Sequence, residues 1–203
     1  MQVKDMFLKK NRYLHFFLII IFLLFSYKPS LSSDDKNRSI KYLNSLKFFS
    51  ASFLQNDGES FSEGKIYIGD SRVRAEYLSP VKILIILDED KAMYYNYELE
   101  EDEFFNPKNT EVWFFYDIFR NPIFFKDSLI EIKKGQLIIE KKGGYDDGEN
   151  FLIRVYFENN PLVLRGIDVF FNDGFLKLSI YNHNYYEEFD KDFFKLINPK
   201  LLN

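Results

Sequence analysis

From Gly64 onward the chain is a succession of short runs of alternating apolar and polar residues, each closed by turn residues. That period of two, repeated with so little room between runs, restricts the fold to an antiparallel sheet of hairpins. Residues 72–78 show the pattern most sharply: Val73, Ala75 and Tyr77 fall on one face, and Arg72, Arg74 and Glu76 on the other. The spacing predicts strands over 48–55, 64–69, 72–78, 82–87, 91–97, 129–133, 136–141, 151–158, 163–171, 174–181 and 189–195. Turns are expected at Asp88-Glu89-Asp90, Lys134-Gly135, Gly143-Gly144 through Asp147-Gly148, Asn159-Asn160-Pro161 and Asn172-Asp173-Gly174. The last contains Asp-Gly, a strong hairpin signal.

Helical pattern is confined to two places. Ile40, Leu43 and Leu46 recur every three residues behind Asp34-Asp35, which are placed to cap a helix and complement its dipole. Residues 100–110 read as an exposed acidic loop. A short helix is expected over Trp113 to Arg120, and a second, begun by Asn121-Pro122, over Ile123 to Lys126. This stretch, with Val112, Phe114, Phe115, Ile118, Phe119 and Phe125, is the most apolar outside the strands and would lie on the sheet as a lid or plug. The inventory predicts an α+β fold, a highly curved antiparallel sheet of about 10–11 strands wrapped around short helices; a closed barrel or sandwich is the alternative.

Residues 1–32 stand apart. Lys9, Lys10 and Arg12 precede an apolar run from Leu14 to Phe25. That run has the length of a signal-peptide core and falls short of the roughly 20 residues needed to span a bilayer. Small residues at Ser30 and Ser32 place cleavage after Ser32, with an uncleaved anchor as the competing reading. Residues 33–203 are then expected to form a single domain. They carry 22 basic and 30 acidic side chains, a formal charge of −8. Such a surface disfavours nucleic acid or anionic lipid as the main partner.

Chemistry is sparse. There is no cysteine, so disulfides, thiolate metal sites and a cysteine nucleophile are excluded. The histidines are His15, in the apolar leader, and His183, in an apparent solvated turn. Neither glycine fingerprint of nucleotide binding occurs, nor a nucleophile elbow, and Asp146-Asp147-Gly148-Glu149 lacks a calcium-loop register. No enzyme, metal or cofactor is expected. Aromatic residues make up 19%, with 24 Phe and 14 Tyr. Lys, Asn and Ile are abundant too, so composition alone does not mark a ligand pocket.

Several local motifs, taken in order, resemble the outer-membrane lipoprotein carrier family, LolA, particularly its alphaproteobacterial type. They are Ser52-Phe53-Leu54-Gln55 after the first helix, Gly64 to Tyr77 with Pro80, and Asp88 with Tyr95-Asn96-Tyr97. Asn121-Pro122-Ile123-Phe124-Phe125, the segment Tyr156 to Gly166 with Pro161, Leu162 and Arg165, and Phe193 to Pro199 complete the series. Together they cover residues 34–199. The chain departs from the family at Gly69-Asp70, where members commonly carry the Arg-Pro linked to release of cargo, and at Asp88-Glu89, where Asp-Gly is usual.

The resemblance implies an unclosed half-barrel whose helices line or plug a concave apolar face. It implies a periplasmic carrier, a monomer, that binds the acyl chains of lipoproteins released from the inner membrane and ferries them to the outer membrane. The partners would be acylated lipoproteins, an inner-membrane lipoprotein-releasing transporter and an outer-membrane receptor. The apolar cavity candidates are Tyr77, Tyr95, Trp113, Phe115, Phe119, Phe124, Phe157 and Phe170. Arg72 and Arg74 are the candidates for the handover arginine. The alternative is an envelope sensor or regulator on the same half-barrel that binds a membrane protein partner.

Overall fold

The computed structural model describes residues 33–144 and 150–202. The expected leader at 1–32 and the hairpin tip at 145–149 lie outside the described residues. In chain order the elements are α1 (Ser33–Ser45), β1 (Phe49–Asn56), β2 (Phe61–Ile68), β3 (Val73–Ser79), β4 (Ile83–Leu87), β5 (Ala92–Asn96) and β6 (Glu101–Phe105). There follow α2 (Trp113–Arg120), β7 (Leu129–Lys133), β8 (Gln136–Gly144), β9 (Asn150–Glu158), β10 (Val163–Phe170) and β11 (Phe175–Asn184). Single 3-10 turns lie at Pro107–Asn109 and Pro199–Leu202.

All neighbouring strands pair antiparallel in one sheet, ordered β6-β5-β4-β3-β2-β1-β11-β10-β9-β8-β7. The edges β6 and β7 do not pair with each other, so the sheet is an unclosed half-barrel. Its topology explains the lid. The chain steps outward from β1 to β6, passes to the opposite edge through residues 106–128, and steps back from β7 to β11 beside β1. The connection carrying α2 therefore joins the two open edges, and its apolar side chains bury on the inner face of the sheet.

That face holds the main core. Phe49, Ala51 and Phe53 of β1, Ile66 and Ile68 of β2, and Ile153, Val155 and Phe157 of β9 are buried there in strict alternation. Leu43 and Leu46 from the α1 end and Phe114, Ile118 and Phe119 of α2 join the same cluster. Each of the Val, Leu, Ile and Phe side chains contributes roughly 1.5–3 kcal/mol by leaving water. Asp34 and Asp35 occupy the first turn of α1, where their charge suits the dipole.

Four local expectations are corrected. Residues 101–105 form edge strand β6 rather than a loop: Glu101, Asp102 and Glu103 are the charges that keep an exposed edge from pairing further. Residues 123–126 make successive turns, not a helix, because after Asn121 only bonds of three-residue span form (Phe124 N–H to Asn121 O 3.1 Å, Lys126 N–H to Ile123 O 3.0 Å). His183 belongs to β11 and is half-buried; its Nε2 lies 2.7 Å from the Leu164 carbonyl, and burial lowers its pKa.

The fourth correction is the largest. Residues 189–195 are not a strand but part of a strap that crosses the outer face of β1 to β6. Phe189 and Phe193 pack edge-on against Tyr67 of β2. The Phe194 ring covers Gly69, where an added Cβ would lie 2.8 Å from it. Leu196 closes a second apolar cluster of Leu84, Ile86, Met93 and Tyr95, and Asn198 reaches Asp102 of β6 (2.7 Å). The segment satisfies its backbone through turns and side chains, so its aromatics face the sheet without strand pairing.

Candidate functional site

The inner face leaves a small, partly open space under the start of α2. Phe53, Ile66, Val73, Ala75, Tyr77, Ile85 and Leu87 form its floor, Leu176 and Leu178 of β11 one wall, and Val112 and Phe115 its roof. Its volume is about 60 Å³. On the other side of the same roof lies an open cleft of about 360 Å³. Val112, Phe115 and Leu176 line both spaces, so those side chains are the partition between them. Val169 and Phe171 also line the cleft, and Phe175, which packs on the outer-face Phe170, lines its margin.

Polar groups are few inside. The Tyr77 hydroxyl donates to Gln55 Oε1 at 2.8 Å, and burial pushes its pKa up to about 12, so it is a neutral donor at any physiological pH. Among the described residues that line this space, Tyr77 is the polar one. Among the described residues no three His, Cys, Asp or Glu side chains converge as metal ligands.

The lid helix is fixed at one end. Arg120, in its last turn, is largely buried and donates to the carbonyls of Phe119 (2.7 Å), Leu46 (2.8 Å) and Gly69. Burial lowers its pKa to about 10, still well above neutrality, so it remains a cation. Asp117, one turn earlier, is buried and accepts from Asn121 Nδ2 (3.0 Å); desolvation raises its pKa. The opposite end of α2 has no side-chain cap. The roof residues Val112 and Phe115 are thus carried by the end of the helix that lacks a side-chain cap, where Phe114 packs on Phe151 and Phe171 (ring centroids 4.7 and 6.2 Å).

Of the eight cavity candidates, Tyr77 and Phe115 line the small space under α2. Phe119, Phe124 and Phe157 are buried in the same core without facing it, Phe157 lying under Tyr42 of α1 with ring centroids 5.9 Å apart. Trp113 is on the outer side of α2, stacked on Tyr116 at 4.8 Å. Tyr95 and Phe170 are on the outer face of the sheet. Tyr95 belongs to the strap cluster, and Phe170 packs on Phe175 between Arg154 and Lys177. Period-two patterning places residues on a common face but does not say which face is inner.

Arg72 and Arg74 are also on the outer face. Arg72 pairs with Asp88 (2.6 Å) and donates to the Phe194 carbonyl (2.9 Å). Arg74 pairs with Glu76, donates to the Phe193 carbonyl and lies 4.1 Å from the Phe193 ring centroid. Both hold the strap, and Arg74 is not the solvated residue its alternation implies. The arginine at the lid is Arg120. Its only sequence signal is a basic residue in the last turn of an apolar helix before Asn-Pro.

The chain is similar in fold to solved structures. An uncharacterized conserved protein from Thermus thermophilus is 8% identical over 83% of this chain and 96% of its own, with a TM-score of 0.50. MucB matches 81% of this chain and 63% of its own at 10% identity and a TM-score of 0.48. MucB from the Pseudomonas aeruginosa MucA/MucB complex matches 78% and 60% at 10% identity and 0.43. At these identities the likeness is one of fold. No family model matches the chain, and no curated protein matches its sequence.

Proposed function

We propose that the protein is a periplasmic, LolA-like carrier that holds the acyl chains of lipoproteins between the inner and outer membranes, without covalent chemistry. The observation that carries this reading is the apolar tract divided by Phe115: a small space and a larger open cleft that share Val112, Phe115 and Leu176 as walls. An acyl chain of ~15 methylenes exposes roughly 12 kcal/mol of apolar surface to water at about 0.8 kcal/mol per methylene. A carrier need only replace that water, and aliphatic and aromatic walls do so without specific contacts. The cleft alone has the volume of an ordinary ligand pocket, about 300–1,000 Å³. The small space under the roof cannot take a chain until Val112 and Phe115 move aside. Cargo would arrive from an inner-membrane transporter and leave to an outer-membrane receptor, after export directed by residues 1–32.

Phe115 is the test residue. A fluorescent long-chain fatty acid titrated into Phe115→Trp should bind at least about tenfold more weakly than into the native protein, because a larger ring seals the partition. Phe115→Ala, which merges the two spaces, should bind at least as tightly and release faster. Equal affinity and release rates in all three proteins, each folded by circular dichroism, would sink the carrier reading.

A further inference from the structure

The mouth of the cleft has one sign of charge. Its lining is mostly apolar, and among the described residues the charged side chains that line it are Asp57, Glu111 and Asp173, all carboxylates. These acids are remote in sequence and meet only through the fold. Asp57 is in the β1–β2 turn, Asp173 in the β10–β11 turn, and Glu111 just before α2. Asp57 is held anionic: the backbone N–H groups of Ser60 (2.7 Å) and Glu59 (2.9 Å) donate to it, and with the Ser60 hydroxyl they keep its pKa below the usual carboxylate range. Lys177 lies over the Phe175 ring (4.6 Å) and does not line the cleft.

An occupant whose chain enters this floor must leave its polar end among three carboxylates. We propose that the cleft selects acyl chains attached to a cationic peptide end and rejects those of anionic phospholipids. The inference rests on the carrier reading and adds the chemical class of cargo. Phospholipids outnumber any protein cargo at a membrane surface, and an apolar cleft alone cannot distinguish one acyl chain from another. Anionic carboxylates at the entrance raise the free energy of an anionic head and lower that of a cationic one, and salt weakens both effects.

The test uses two palmitoylated peptides of the same length, one with four lysines after the acylated residue and one with four glutamates. In low salt the lysine peptide should bind the protein about tenfold or more tightly than the glutamate peptide. The ratio should fall toward one in about 0.5 M NaCl. It should also fall toward one in Asp57→Asn/Glu111→Gln/Asp173→Asn, which keeps the Asp57 turn acceptor and still binds both peptides. Equal binding of the two peptides by the native protein, or a preference that survives in the triple variant, would overturn the selectivity while leaving the carrier reading standing. Failure of both peptides to bind would overturn the two together.

Discussion

Arg120→Met is expected to lower the melting temperature by about 6–12 °C. The substitution keeps the aliphatic bulk but removes the donors to the carbonyls of Leu46, Gly69 and Phe119. A buried acceptor left without a partner costs about 1–3 kcal/mol, and water entering at the helix end recovers part of that, leaving about 3 kcal/mol overall. In a domain of this size each kilocalorie shifts the midpoint by about 2–4 °C. Arg120→Lys should fall between the two proteins, since one ammonium cannot reproduce a guanidinium fork that spans several carbonyls. Thermal denaturation followed by circular dichroism measures the effect. A midpoint for Arg120→Met within a degree of the native value would show that the pinned end of the lid is held by packing alone.

A larger loss is expected from Gly64→Ala. An added Cβ would lie 2.1 Å from the Glu76 carbonyl oxygen and 2.7 Å from the Phe53 ring. The first contact is to backbone, so the ring alone cannot relieve it by rotating. The β2–β3 ladder is already irregular there, with Glu63 opposite Ser79 and Gly64 opposite Tyr77. Parting the strands would remove hydrogen bonds and open the floor of the small space beside Tyr77. The cost should be about 3 kcal/mol or more, the upper range for overpacked sites. Gly174→Ala is the control, because nothing lies within 4 Å of its added Cβ; it should change stability by less than about 0.5 kcal/mol. Urea denaturation of both variants gives the comparison, and equal midpoints would contradict the account of Gly64.

These two residues mark what was legible in the chain and what was not. The strands follow from local alternation, and β7 matches its expected span at Leu129–Lys133, as α2 does at Trp113–Arg120. Lys134 and Gly135 both have positive φ, 52° and 80°, which suits the two-residue turn that their spacing indicates. The unclosed sheet and its helical plug also follow from the inventory of elements. Contacts made across the sheet do not. Tyr95 and Met93 alternate as an inner face would, yet they face outward because the strap supplies a second apolar layer there. Alternation measures burial, and a sheet covered on both sides buries both faces. The strap itself looked like a strand because its aromatics face the sheet. Arg120 carries no periodic signal, since its partners are carbonyls from two distant turns.

The central claim concerns acyl chains, and one measurement addresses it most directly. A triacylated lipopeptide is titrated into the purified protein by calorimetry, with the same peptide lacking its acyl chains as the comparison. The carrier account predicts saturable binding of one lipopeptide per protein, with a negative heat-capacity change from apolar burial, and no binding of the deacylated peptide. Equal binding of both peptides, or none of either by protein shown to be folded, would contradict it and turn attention to a protein-contact role for this half-barrel.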